Sequence, residues 1–396
     1  MAAANDTLQK ARTYLEKGEY TNAEQAYQEV LKAQPGSAEA LAELGRFAMM
    51  REQVEEGLRL VEQALEIQPK FAQALAYKGL GYTLKEDFAK AIPLFEEAVA
   101  INPALVMAWH NLGRAYRKQG DWEKAETSIR KALELNPNHF QAHYELSTIL
   151  ANTNRVTEAI REALESIRIN PLFLKGYLTL GKAYEMGGRG DLSIRLYREG
   201  LKKNPGALIL RQELIRLYLM KRDVKAAYLE QGVVTQQRNV FENNLQLGNL
   251  GVLAGDFEGA EKAFQRAAQQ KPEAAAPHFN LGEIYSSANL KQEATREYME
   301  AIRLDDRNWK PYNSLGVLHM KGGTPESLRK AVEYFQEAAG RSPQSPEPYY
   351  NLALVYGHLK NREAAEQNAR LALERIPADG VLKQDVERLL KALEKV

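Results

Sequence analysis

The chain has 396 residues, with 53 Lys and Arg against 52 Asp and Glu, no cysteine, 27 glycines and 15 prolines. A hydrophobic fraction of 44% and a charged fraction of 27% describe a folded chain, and a formal charge of +1 argues against a general polyanion binder, so no nucleic-acid partner is expected. Zero cysteine removes disulfides, thiolate-ligated zinc, iron–sulfur clusters and thiol catalysis.

Along the chain, Pro35, Pro69, Pro103, Pro137, Pro171 and Pro205 recur every 34 residues, and Pro272, Pro343 and Pro377 continue the series with small changes of length. With this proline as position 32, eleven units start at residues 4, 38, 72, 106, 140, 174, 208, 241, 275, 309 and 346. Position 8 is Gly in seven units, position 11 is Tyr in seven and position 20 is Ala in nine. Each unit reads as a helical hairpin. In the fourth, Trp109, Leu112, Gly113 and Tyr116 share one helix face, and Gly120-Asp121 ends that helix and opens the next. Ala125, Ile129, Ala132 and Leu133 form a second stripe, which stops at Asn136-Pro137 because proline lacks the amide and crowds the preceding turn. So small a hairpin cannot cover its own apolar face, so the units must stack into a solenoid.

The seventh unit, residues 208–240, departs from the pattern, with Ile215 at position 8, Asn239 in the proline column and a polar end, VVTQQRNVFENN. It reads either as a hinge or change of curvature, or as sequence drift. The expected division is therefore 4–240 for units one to seven, 241–379 for units eight to eleven, and a helix over 380–396. The tenth unit carries three extra residues around Gly322-Gly323-Thr324-Pro325-Glu326, read as a longer turn. Finally, Val381, Leu382, Val386, Leu389, Leu390 and Leu393 share one face of a helix expected to cap the stack.

The pattern Leu112-Gly113-x-x-Tyr116, Ala125, Ala132 and Pro137, with its counterparts elsewhere, resembles the tetratricopeptide repeat over residues 4–379. The resemblance implies an all-α, right-handed superhelical solenoid of about eleven helix-turn-helix repeats plus a C-terminal capping helix. It also implies non-catalytic protein–protein interaction, with positions 2, 5, 9, 12 and 13 of each first helix lining a concave groove and position 6 beside them.

Three signals occupy those positions. Position 9 carries Arg12, Arg46, Arg114, Lys182 and Arg216, joined by Arg117, Lys118 and Lys175, so basic residues exceed acidic ones there in the first seven repeats. This stripe favours an acidic partner segment. Met49, Met50, Met107, Met186, Met220 and Met320 also fall at groove positions, where flexible thioethers suit an adaptable surface, and Leu80, Leu245, Phe279 and Tyr350 add apolar anchors. Asn111, Asn280 and Asn351 at position 6 can hold a peptide backbone. Asn249, Asn280 and Lys310 fill three of the five places of the two-carboxylate clamp of chaperone-binding members, but Leu245 and Ser314 replace two of its cations, which argues against EEVD-type tails.

Other candidates carry less. His139 and His143 lie four apart, but His143 occupies a stacking position, so no metal is expected. No nucleophile motif, phosphate loop or paired-carboxylate set is present, which predicts neither catalysis nor a cofactor. The expectation is a scaffold or adaptor that takes an extended or helical, acidic partner segment in its groove. The alternatives are a self-assembling structural protein, forming homo-oligomers through its convex face or ends, and the substrate-selecting arm of a multidomain enzyme. The start MAAANDTLQK lacks the charged and apolar regions of a signal peptide, and no apolar run spans a bilayer, so a cytoplasmic setting is expected, with the periplasm, or membrane attachment through a partner or a trimmed anchor, left open.

Overall fold

The computed structural model describes residues 2–377 and 380–394, and among them there are twenty-three α-helices and no strand. Eleven hairpins follow the sequence period. The first four are α1 (Ala2–Glu16) with α2 (Tyr20–Ala33), α3 (Ala38–Met50) with α4 (Val54–Ile67), α5 (Ala72–Leu84) with α6 (Phe88–Ile101), and α7 (Val106–Gln119) with α8 (Trp122–Leu135). Next come α9 (Phe140–Asn152) with α10 (Val156–Ile169), α11 (Leu174–Met186) with α12 (Gly190–Lys203), and α13 (Leu208–Met220) with α14 (Val224–Gln237). The last four pairs are α15 (Phe241–Ala254) and α16 (Phe257–Gln270), α17 (Ala275–Ser287) and α18 (Lys291–Leu304), α19 (Trp309–Met320) and α20 (Pro325–Arg341), and α21 (Pro346–His358) and α22 (Arg362–Arg375). A single helix, α23 (Lys383–Glu394), follows. The chain forms two compact units, one up to Leu210 and one from Arg211 on, the division falling inside α13.

Each hairpin turns at one residue. Position 15 has a positive φ in all eleven repeats, from Gly18 (74°) and Gly120 (84°) to Glu52 (65°), Glu86 (59°), Asn154 (62°), Arg222 (60°) and Lys360 (59°). One left-handed residue ends the first helix and reverses the chain. Where position 16 is Asp, Asn or Thr, its side chain caps the second helix. Asp121 accepts from the Lys124 amide at 3.2 Å, and Asp223, Asp256 and Asn361 do the same in their own repeats.

Within a hairpin the two helices cross closely. A Cβ on Gly45 would lie 2.6 Å from Val61 Cγ2 and 2.7 Å from the Gly57 carbonyl, and one on Gly113 would lie 2.6 Å from Ile129. Buried alanines of position 20, such as Ala91, Ala125 and Ala331, with Phe95, Ile129 and Phe335 of position 24, fill the crossing, and these cores run from one repeat to the next within each unit.

Two sequence expectations are corrected. The three extra residues of the tenth repeat do not lengthen a loop. Thr324 caps α20 by accepting from the Ser327 amide, and α20 has 17 residues where the other second helices have 14, because Pro at the first helical position starts a helix well. The last helix spans Lys383–Glu394, and Val386, Leu382, Leu389 and Leu390 pack on Ala353, Ala369 and Ala372, but Val381 precedes the helix and is 94% exposed.

The left-handed turns give a direct test. Glu86 bears a Cβ where φ is 59°, a conformation that glycine adopts without the steric cost. Glu86→Gly is expected to raise stability by about 0.5–1 kcal/mol, and Gly120→Ala to lower it by about 1 kcal/mol, in urea melts followed by circular dichroism. A Glu86→Gly variant that melts earlier than wild type contradicts this account.

Candidate partner-binding groove

The first helices of successive hairpins touch directly, α3 to α5, α5 to α7, α7 to α9 and α9 to α11 in the first unit, and α17 to α19 and α19 to α21 in the second. They form the inner rank of each unit, so side chains that point away from the second helices make its accessible face.

The cations of position 9 are largely engaged from within. Arg12 donates to Glu39 at 2.7 Å, and Arg216 Nε donates to Glu213 at 2.8 Å. Arg46 Nε donates to Glu43 at 2.8 Å and its guanidinium lies over the Phe47 and Tyr77 rings. Glu43 is almost fully buried and also accepts from the Tyr77 hydroxyl at 2.6 Å and from Gln73 at 2.9 Å. Burial works against the charge on Arg46, but Tyr77 and Glu43 outweigh it and hold its pKa above the ordinary value. Burial, then the Glu43 carboxylate, pushes the Tyr77 phenol far up, so it stays a donor.

In the fourth repeat two guanidiniums share one carboxylate. Arg117 Nε donates to Glu145 at 2.7 Å and Arg114 Nε lies 3.5 Å from the same group, which is 6% exposed. Lys118 and Lys182 are exposed, and among the described residues neither has a carboxylate at ion-pair distance. Lys310 is likewise exposed on α19.

The methionines divide by burial. Met49 is 3% exposed and packs against Leu58 and beside Gly57 and Gly81, so it belongs to the core and not to the groove surface. Met107 is half-buried against the same cluster. Met50, Met186 and Met220 are exposed, with Met50 Sδ 3.5 Å from Arg46 Nη1 and Met220 Sδ 3.3 Å from Arg216 Nη1.

The amides bond to each other or to their own helix. Asn111 is buried, donates to the Met107 carbonyl at 3.0 Å and accepts from Arg114 at 3.2 Å, which turns it away from any peptide. Asn280 donates to Asn249 at 3.1 Å and Asn351 donates to Asn313 at 2.9 Å, each a rung between adjacent repeats. Tyr350 packs into the cluster covered by α23. Both ring nitrogens of His143 are engaged within the protein, Nδ1 with Glu162 at 2.7 Å and Nε2 with the Pro137 carbonyl at 2.9 Å.

The sequence reading missed one feature. α15 and α17 pack less closely than the pairs above, and a cavity of about 510 Å³ opens beside Asn249 and Asn280. Its walls are Val252, Leu253 and Phe257, with Leu253 69% exposed. Position 13 carries the signal, since Met50, Leu84, Met186, Met220 and Leu253 make an apolar column of exposed residues. Phe257 opens α16, a second helix, so no first-helix column contains it.

Family models described as Tetratricopeptide repeat match residues 110–172 and 245–309, residues 14–79 and 83–130, and residues 346–379, together more than half of the chain. The chain belongs to the tetratricopeptide repeat family. Its relatives include the Photosystem I assembly protein Ycf3 of Cyanophora paradoxa, 30% identical over 102 residues, which are 25% of this chain and 56% of that protein. BBSome complex member BBS4 of Bos taurus is 24% identical over 192 residues, 48% of this chain and 36% of that protein. The chain thus spans about half, or less, of the length of these curated relatives. Among solved structures, Pseudomonas aeruginosa PilF aligns with 53% of this chain and 96% of its own at 18% identity and a TM-score of 0.46. Yeast Tom70 covers 100% of this chain and 96% of its own at 15% identity and a TM-score of 0.42. The tetratricopeptide solenoid leaves no described helix long and apolar enough to cross a membrane.

One groove residue carries a pH signature. His110, at position 5 of this tetratricopeptide chain, is buried with its ring 4.7 Å from that of His139. Burial, followed by His139 and Arg114, pushes its pKa from 6.5 down to about 3. The unfolded imidazole takes up a proton near pH 6.5, and the folded one does so only near pH 3. Its contribution is therefore complete above pH 6.5 and is lost as pH falls, at roughly 1.4 kcal/mol per unit. Leucine occupies position 5 in other repeats (Leu8, Leu178), so His110→Leu should fold and should lose melting temperature less steeply between pH 6.5 and about 4.5. Equal slopes for both proteins contradict the assignment.

Proposed function

We propose that this chain is a non-catalytic scaffold whose inner helical faces take extended or helical segments of partner proteins, and that the face of its first unit selects acidic ones. The observation that carries the second part is the surplus of charge on α7, where Arg114 and Arg117 share a single buried carboxylate, Glu145, and the exposed Lys118 has no carboxylate at ion-pair distance among the described residues. Lys182 adds an exposed cation on α11. Guanidiniums held by Glu145 keep further N–H groups for a partner carboxylate and lose little side-chain freedom on binding. The likeness to a photosystem I assembly protein over 102 residues supports a role in holding other proteins together, and nothing narrower.

The same geometry decides which substitutions test this. Arg117→Glu would set a second carboxylate against buried Glu145 and is expected to cost roughly 3 kcal/mol of stability, so its loss of binding would say nothing about the groove. Lys118→Glu combined with Lys182→Glu leaves every observed ion pair intact. That double variant should keep wild-type helicity and melting temperature and bind a fluorescent Asp- and Glu-rich peptide about tenfold more weakly, with wild-type binding itself falling as salt rises. Unchanged affinity in the double variant would overturn the acidic-segment reading.

A further inference from the structure

We infer that the inner face of α15 and α17 binds an extended protein segment carrying a bulky apolar side chain and, two residues away, a lysine or arginine. This rests on the reading of the inner faces as partner surfaces, and it assigns the second unit a chemistry unlike that of the first. The cavity between α15 and α17, about 510 Å³, lies in the range of sites that bury a small ligand. Its floor is Phe264 and Ile284, both buried, while Val252, Leu253 and Phe257 stand exposed around the mouth. Exposed aliphatic and aromatic groups around an apolar depression gain by receiving an apolar side chain and shedding water.

The polar rim defines the rest of the occupant. Asn280 Nδ2 donates to Asn249 Oδ1, which leaves Asn249 Nδ2 and Asn280 Oδ1 with no partner among the described residues. One free donor beside one free acceptor matches the carbonyl and amide of a single extended peptide residue. Among the described residues that line the cavity, Glu283 is the one carboxyl group and there is no lysine or arginine. Its Oε1 accepts from the Tyr298 hydroxyl and from Ser314, both at 2.7 Å, which fixes the carboxylate and leaves Oε2 for an incoming charge. Charge complementarity therefore calls for a cation. In an extended segment residues i and i+2 point the same way, so the apolar anchor and the cation can face the groove together.

The test uses the full chain and a labelled peptide of roughly ten residues with one Trp and an Arg two residues on, in an uncharged Ser/Thr background. Wild type should bind it at least about tenfold more tightly than the Trp→Ser or the Arg→Glu peptide. Leu253→Asp, at a position already facing solvent, should weaken binding about tenfold. Glu283→Gln, which retains an acceptor for Tyr298 and Ser314, should abolish the preference for Arg over Glu, and Glu283→Lys should invert it. Binding that survives Leu253→Asp, or an Arg preference that survives Glu283→Gln, overturns the proposal. So does a concentration-dependent dimer that Leu253→Asp dissolves, since the face would then serve a second copy. The acidic peptide is measured alongside. Its binding without that of the Trp/Arg peptide defeats this proposal alone, whereas failure of both peptides defeats the groove reading as well.

Discussion

Every outward-facing feature of this chain depends on how closely the two helices of a hairpin cross. Glycine at position 8 removes the side chain at the crossing, so position 24 can be as large as Phe95 or Phe335 and still be fully buried. Other pairs are buried at the crossing elsewhere, Ser147 with Ala163 in repeat 5 and Ile215 with Gln231 in repeat 7. A buried glutamine is tolerated there because its amide donates to the Asn243 carbonyl at 3.3 Å. Because each hairpin meets this condition by itself and then stacks on its neighbours, stability accumulates repeat by repeat.

The crossing leaves the inner face to side chains that stacking does not use, and there buried carboxylates govern. Glu43 and Glu145 are nearly inaccessible, so each must be compensated in place. Arg46 with Tyr77 and Gln73 compensates the first, and Arg114 with Arg117 the second. Much of the basic stripe is therefore the counter-charge of acids beneath it. The remainder is small, the second guanidinium at Glu145 together with the exposed Lys118, Lys175 and Lys182, and on the proposed reading a partner would meet oriented donors at Glu145 and not a diffuse positive field.

The sequence period made the hairpins legible because glycine, alanine and proline act through backbone geometry, which one residue decides. Side-chain direction was less legible. Met49 and Met50 are neighbours with the same composition signal, yet one turn of 100° puts the first between α3, α4 and α5 and the second in solvent. The stretch VVTQQRNVFENN reads as a polar departure from the pattern, yet Asn244 is fully buried and donates to Asn239, to the Val240 carbonyl and to Gln270, an amide network standing where proline closes other repeats. Amide donors can find acceptors inside a core, even though Asn244 Oδ1 has no partner among the described residues, so polarity alone did not report exposure. Pairing was the third limit. That Arg117 and Arg114 converge on Glu145 depends on the stacking of α7 against α9, a tertiary fact that a column of like residues does not contain.

Position 13 joins these points. It closes the first helix two residues before the left-handed turn, so no further helical turn covers it, and it is exposed in all eleven repeats. A residue there contributes little to the crossing or to the core. Its identity is therefore free to vary with the surface each repeat presents, and it does, from Met50 and Leu84 through Lys118 and Asn152 to Leu253. The stacking positions, by contrast, admit few solutions. Lys118 and Leu253 at this position can therefore be replaced with the solenoid left intact, whereas Arg114 and Arg117 cannot be separated from the buried carboxylate beneath them, so one repeat pattern carries exposed cations on α7 and an exposed apolar rim beside α15.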